Sequence, residues 1–370
     1  MKVLVVFGTR PEAIKMCPLV LELKKNKDIE TVVCLTGQHR EMLKQVMDAF
    51  HVSEDYNLDI MRNRQTLTTI TTSILESIEP VLRAEKPDIV LVHGDTTTSY
   101  AAALAAFYQQ IPVGHVEAGL RTGDIYSPFP EEMNRLLTDR ISTLYFAPTK
   151  MNEENLQREG ITKGISVTGN TVIDAFQYTV SEKYKYTCAA LNKLDFNNKR
   201  VILLTAHRRE NLGKGIENIC KAVKKIAIEY ADVQFVYPVH LNPAVRETVF
   251  SVLNDLNNVM LIDPVDVLDM HNMMARCFMV MTDSGGIQEE APHFGKPVLV
   301  LRTETERPEA VESGTVKVVG VDEHVIYEET KKLLDDRSVY EKMAHAVNPY
   351  GDGKASKRIV DCLKSCNWIK

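Results

Sequence analysis

Residues 277–301 read CFMVMTDSGGIQEEAPHFGKPVLVL. The apolar run Cys277–Met281 ends in Thr282-Asp283-Ser284-Gly285-Gly286. Helix-compatible residues follow, and then a second apolar run, Pro297–Leu301. The pattern is strand, glycine turn, helix, strand. Such a turn points backbone N–H groups and the positive end of a helix at one spot, where a phosphate can sit. Ser284, Gly285 and Gly286 form the turn, and the stretch implies a nucleotide or nucleotide-sugar ligand. Glu290, further along the helix, is placed to meet ribose hydroxyls. Glu289 suits the helix dipole instead.

The same alternation extends outward in both directions. Strands are expected at Val3–Phe7, Thr31–Leu35, Asp88–Val92, Val113–Val116, Thr143–Ala147 and Ile165–Val167. Helices are expected at 12–25, 40–50, 67–84, 96–109, 131–139 and 150–159. A second series of strands opens at Arg200–Leu204. It continues through Val233–Tyr237, Val259–Ile262, Phe278–Met281, Pro297–Leu301 and Val316–Val319. Strands alternating with helices imply an α/β fold, a doubly wound parallel sheet with ligands at the carboxyl ends of its strands. Two series imply two such domains, as does a length of 370 residues, too long for one comfortable core. The expected division is 1–180, a polar linker at 181–199, and 200–354. The turn cluster Asn348–Gly353 precedes a last helix at 355–370 that would pack back on the first domain.

Composition narrows the function classes. The chain is 44% hydrophobic and 25% charged, with a net charge of −6, ordinary values for a globular protein. No basic stripe suggests nucleic acid. No run approaches the ~18 apolar residues of a membrane span, so no membrane partner is expected. Met1–Phe7 is too short for a signal-peptide core, and a cytoplasmic location is expected. The seven cysteines lack zinc-ligand spacing, so no metal is expected. Walker and GxGxxG fingerprints are missing too, and no nicotinamide or other cofactor is expected.

Candidate chemistry clusters at the predicted strand ends. Arg10, in Gly8-Thr9-Arg10-Pro11-Glu12, and Lys15 can present two cations to a pyrophosphate; Lys15 alone would also suit a solvated helix face. Arg307, in Glu306-Arg307-Pro308-Glu309, echoes Arg10. Pro suits the first helical position in each, which leaves the arginine at the lip of a strand. Asp95, in His93-Gly94-Asp95-Thr96, either caps the next helix or meets a ligand, and the two are compatible. Glu117 follows a strand between two glycines and has no capping role to explain it. His115, nearby, reads as a packed histidine. Glu131, after Pro130, fits helix-dipole compensation but would be a third carboxylate beside Asp95 and Glu117. Three acids together would push at least one pKa toward neutrality, as proton transfer requires. His207, Arg208 and Arg209 follow the first strand of the second half as a dense anion-binding set. His240 ends the next strand.

These motifs stand in the order found in the non-hydrolysing bacterial UDP-N-acetylglucosamine 2-epimerases, and the chain closely resembles that family. The likeness runs from Gly8-Thr9-Arg10-Pro11-Glu12 to Gly351-Asp352-Gly353-Lys354. It implies the GT-B architecture, two Rossmann-like domains with the active site in the cleft between them. It implies reversible conversion of UDP-GlcNAc to UDP-ManNAc for bacterial surface polysaccharide, by elimination of UDP to 2-acetamidoglucal and re-addition. By resemblance Asp95, Glu117, Glu131 and His207 are catalytic, and Arg10, Lys15, Ser284, Gly285, Gly286, Glu290 and Arg307 contact UDP. Family members are homodimers. Many bind a second UDP-GlcNAc as an allosteric activator, for which the matching positions are Gln38, His39, Arg64, Gln65, Glu131, Arg208 or Arg209, and His240. The segment Asp263–Met270 lacks the Tyr and Phe that relatives often carry there. Cations Arg10, Lys15, His207 and Arg307 would stabilise the leaving pyrophosphate. The alternatives are a hydrolysing epimerase that releases ManNAc, a GT-B glycosyltransferase, and a UDP-sugar sensor without catalysis.

Overall fold

The computed structural model describes residues 1–37, 40–62, 64–305 and 307–365. The chain divides into two compact units, one made of 1–178 and 350–370, the other of 179–349.

The first unit is built on seven strands: β1 (Lys2–Phe7), β2 (Glu30–Leu35), β3 (Tyr56–Asn57), β4 (Ile89–His93), β5 (Val113–Val116), β6 (Leu144–Ala147) and β7 (Ile165–Val167). Their order in the sheet is β3-β2-β1-β4-β5-β6-β7, and every pairing is parallel. Val3 through Phe7 are all fully buried, as a central strand covered on both faces must be. The strand order reverses between β1 and β4. The helix Thr97–Tyr108, just after β4, buries Ala101, Ala102, Ala103, Ala105 and Ala106. Such small residues let it lie close to the sheet at that point. Gly8, at the end of β1, has no alternative: a Cβ there would collide with the Thr36 hydroxyl.

The second unit repeats the plan with β8 (Arg200–Thr205), β9 (Val233–Pro238), β10 (Val259–Ile262), β11 (Met279–Thr282), β12 (Val298–Val300) and β13 (Val316–Val318). The order is β10-β9-β8-β11-β12-β13, again parallel. Its switch lies between β8 and β11. Phe235 and Tyr237 anchor the core beneath. The two doubly wound parallel sheets expected from the sequence are therefore present.

Three features differ from the sequence reading. The strand β3 is additional; its two residues carry no periodicity. The helix Thr171–Thr179 is additional too, because its β-branched start argues only weakly for helix. Residues 181–199 are no free linker but part of the second unit. The carboxylate of Asp269 accepts from the Tyr184 hydroxyl (2.8 Å) and from the backbone N–H groups of Thr187 (2.9 Å) and Cys188 (2.8 Å). One buried acid thus pins a segment whose own sequence is polar. The helix Ala355–Ser365 belongs to the first unit, where Asp174 accepts from its Ala355 and Ser356 N–H groups (3.0 and 2.7 Å). Among the described residues no helix is long and apolar enough to cross a membrane.

Candidate active site

In the first unit the chemistry collects at the carboxyl ends of β1, β4 and β5. Glu12 organises that rim. It is buried, and one of its oxygens accepts from the N–H groups of Gly8 (3.0 Å) and Thr9 (2.7 Å). The other accepts from the hydroxyls of Thr96 (2.6 Å) and Ser99 (3.1 Å). The turn after β1 thus carries its own internal anion. Thr9 caps the helix Arg10–Lys24, and Arg10 is its first residue. Here the expectation needs correction: Arg10 opens the helix, and Pro11 follows it, because the Thr9–Glu12 capping box starts the helix one residue earlier.

Glu117 follows β5 with φ at +68°, a left-handed conformation costly for a residue with a Cβ. Its carboxylate is ion-paired to Lys15. It also accepts from Asn170 Nδ2 at 2.9 Å, and His93 Nε2 stands 3.6 Å away. Burial alone would raise the Glu117 pKa, but Lys15 and His93 outweigh it and hold the acid well below the ordinary carboxylate range. The upward shift expected of crowded acids is therefore reversed at Glu117, because its neighbours are bases rather than acids. Lys15 in turn faces a carboxylate, not the open helix surface.

Asp95 does not cap its helix; Thr96 does. That releases the Asp95 carboxylate to Arg135, at 2.7 and 3.0 Å, while Asn134 Nδ2 donates to the Asp95 carbonyl at 2.9 Å. Both partners lie on the helix Glu131–Ile141, whose first turn carries Glu131. The loops of Asp95 and Glu131 are thereby tied together. Glu132, next to Glu131, is the structural acid of the pair: buried, it accepts from Thr122 and Gly123 N–H and from Arg135. His115 is packed as expected, its ring nitrogens 2.6 Å from Asp139 and 2.7 Å from the Gly94 carbonyl.

In the second unit Asp283 plays the part that Glu12 plays in the first. It is fully buried. One of its oxygens accepts from the backbone N–H of His207 (2.8 Å), that of Arg208 (2.8 Å) and Asn211 Nδ2 (3.0 Å). The His207 ring stacks on His240 with centroids 5.0 Å apart and planes 6° from parallel. Partial burial lowers the His207 pKa; Asp283 opposes the shift, and His240 and Arg208 reinforce it. His207 is therefore predominantly neutral at pH 7. The expectation of a standing cation at His207 is corrected: partial burial disfavours its charged form more than Asp283 favours it. Arg208 and Arg209 follow it, and Arg209 is exposed.

Ser284 precedes the short helix Gly285–Glu290. Arg307 Nε donates to Glu289 at 2.8 Å, and a Cβ on Gly285 would lie 3.4 Å from the Arg307 guanidinium carbon. The arginine thus lies against the turn. Glu289 is buried in that pair; Glu290, beside Gly286, has His271 Nε2 at 3.8 Å. Glu289 thus serves structure through Arg307, while Glu290 faces the turn.

Arg64 is exposed at φ +58°, and Gln65 donates to the Ile60 carbonyl at 2.6 Å. Gln38 and His39 lie outside the described residues. Sequence reasoning passes over Glu12, Asn170, Arg135 and Asp283 as site builders. Glu12 and Asp283 stand inside the quoted motifs, but burial, the signal that marks them, is a tertiary property. Among the described residues no group of three or more His, Cys, Asp or Glu side chains could hold a metal ion.

A family model described as UDP-N-acetylglucosamine 2-epimerase matches residues 21–364. The chain is similar to the UDP-N-acetylglucosamine 2-epimerase of Bacillus subtilis, 56% identical over 98% of this chain and 95% of that one. It is 54% identical to the enzyme of that name from Escherichia coli K12, over 99% of both chains. The fold superposes on the crystal structure of UDP-GlcNAc 2-epimerase from Neisseria meningitidis bound to UDP-GlcNAc. That match has a TM-score of 0.90 and 52% identity, and it covers 99% of this chain and 100% of that one.

Proposed function

The chain belongs to the UDP-N-acetylglucosamine 2-epimerase family, and from that premise we propose how its residues carry out the isomerisation. A base removes the C2 proton as the C1–O bond to UDP breaks, which leaves 2-acetamidoglucal with a C1–C2 double bond. UDP then re-adds at C1 and a proton returns to C2 on the opposite face, giving UDP-ManNAc.

The observation that carries this reading is Glu117: buried, strained, and held ionised by Lys15 and His93. An ionised carboxylate is competent to take a proton, although a depressed pKa also makes it a weak base. Asp95 and Glu131 are the remaining carboxylates for acid–base transfer. The second unit supplies the diphosphate chemistry: the Ser284-Gly285-Gly286 turn, Arg307 against it, and a neutral His207 able to donate a hydrogen bond to the leaving oxygen. Glu290 is assigned to ribose hydroxyls, and Arg10 to the phosphates. We assign the product to surface polysaccharide synthesis and the protein to the cytoplasm. A homodimer and activation by a second UDP-GlcNAc complete the proposal.

The test is to incubate the protein with UDP-GlcNAc in D2O and follow it by NMR. Deuterium at C2 together with UDP-ManNAc supports the proposal. Free ManNAc would indicate the hydrolysing reaction, sugar transfer to an added acceptor would indicate a transferase, and an absence of exchange would defeat the epimerase mechanism.

A further inference from the structure

Asn170 follows β7 and is 3% exposed. Its Nδ2 donates to Glu117 Oε2 at 2.9 Å, its Oδ1 accepts from Val172 N–H at 3.0 Å, and its own N–H donates to the Tyr350 carbonyl at 2.8 Å. Gly169, just before it, packs against Tyr350 and Gly351, where a Cβ would lie 3.2 Å from the Tyr350 carbonyl oxygen. The contacts on the Glu117 carboxylate are one-sided. Lys15 and Asn170 both bind Oε2, and the orphaned, buried Nε2 of His93 is 3.6 Å from the same atom. Oε1 has no hydrogen-bond partner among the described residues and lies beside Gly94, where a Cβ would stand 3.4 Å away.

We propose that Asn170 is a positioning residue that anchors Oε2 of Glu117 so that Oε1 is the proton-accepting atom, and that it ties this aim to the chain's return at Tyr350. The proposal rests on the reading of Glu117 as a base. Among the described residues, the titratable groups that face Glu117 are Lys15, from the helix Arg10–Lys24, and His93, from β4. Asn170 adds a neutral donor that holds direction without adding charge. An amide suits the task because its other end is fixed by the Val172 N–H, and so the side chain cannot flip without losing both bonds.

Asn170→Asp is the informative variant. It keeps the shape and the bond to Val172, turns the donor toward Glu117 into an acceptor and adds a negative charge. Two carboxylates then share Lys15, and the Glu117 proton affinity rises. The acid limb of the kcat/KM profile is expected to move up by on the order of one pH unit, while the lost aim of Oε1 lowers the activity at pH 7 at least about tenfold, a loss that raising the pH does not recover. The melting temperature should fall in the single variant but much less in Glu117→Gln/Asn170→Asp, where the amide introduced at position 117 can donate to the carboxylate introduced at position 170. If Asn170→Asp alone fails to fold, a folded double variant supports the contact and an unfolded one overturns it. An unshifted pH profile, or stability losses that simply add, overturns the proposal alone. Coupled stabilities with undiminished turnover in Glu117→Gln would overturn the base assignment, and the proposal with it.

Discussion

Glu117 shows how a single residue's chemistry depends on its surroundings. Its left-handed backbone costs on the order of 1–3 kcal/mol, and burial of its charge costs more. Both are offset by the cation and donors around it. Its folded pKa lies below the ordinary 4.5. The stabilising contribution is therefore fully present above about pH 4.5 and is lost as pH falls through the folded value. Glu117→Gln is expected to flatten the acid side of the melting-temperature profile and to lower kcat by about a hundred- to ten-thousandfold. Calorimetry from pH 3 to 7 and steady-state kinetics check the two halves separately. Retained turnover would dismiss the base; an unchanged acid profile would dismiss the ion pair.

Three turns or helix starts at the site are held by a buried or capping polar residue. Glu12 holds the turn after β1, Thr96 caps the helix after β4, and Asp283 holds the turn after β8. Glu12 and Thr9 make a graded test. Thr9→Ala removes one cap and should cost about 1 kcal/mol. Glu12→Ala strands the Gly8 and Thr9 N–H groups and leaves the Thr96 and Ser99 hydroxyls to find other partners. At about 1–3 kcal/mol for each stranded buried donor, a loss on the order of 3 kcal/mol or more is expected. Urea denaturation would order the two; equal losses would mean that the capping box alone matters.

At the scale of the molecule, the last helix completes the first unit. Ala355–Ser365 buries Ile359, Val360 and Leu363, each worth about 1.5–3 kcal/mol, and takes its cap from Asp174. A chain ending at Pro349 is therefore expected to lose roughly 5 kcal/mol from the first unit while the second, 179–349, keeps its own core. Hydrogen exchange should show protection lost across β1 and β2 and retained across β8 and β9. Protection retained in both units would refute the dependence.

The sequence by itself determined the two doubly wound sheets, because buried parallel strands are near-continuous apolar runs whose periodicity needs no partner to be recognised. It also marked Asp95, Glu117 and the Ser284-Gly285-Gly286 turn, since acids and glycines just past such runs fall at strand ends. Only the tertiary structure decided how those residues are charged and held. Lys15 meets Glu117 across 102 residues and Asn170 meets it across 53, and Arg135 meets Asp95 across 40. Local periodicity is blind to such separations, whereas the pKa of a carboxylate depends on whatever stands within a few ångströms of it in space. For that reason the carboxylates could be read in order along the chain, while the depressed pKa of Glu117, the neutral His207 and the anchoring role of Asn170 emerged only on folding.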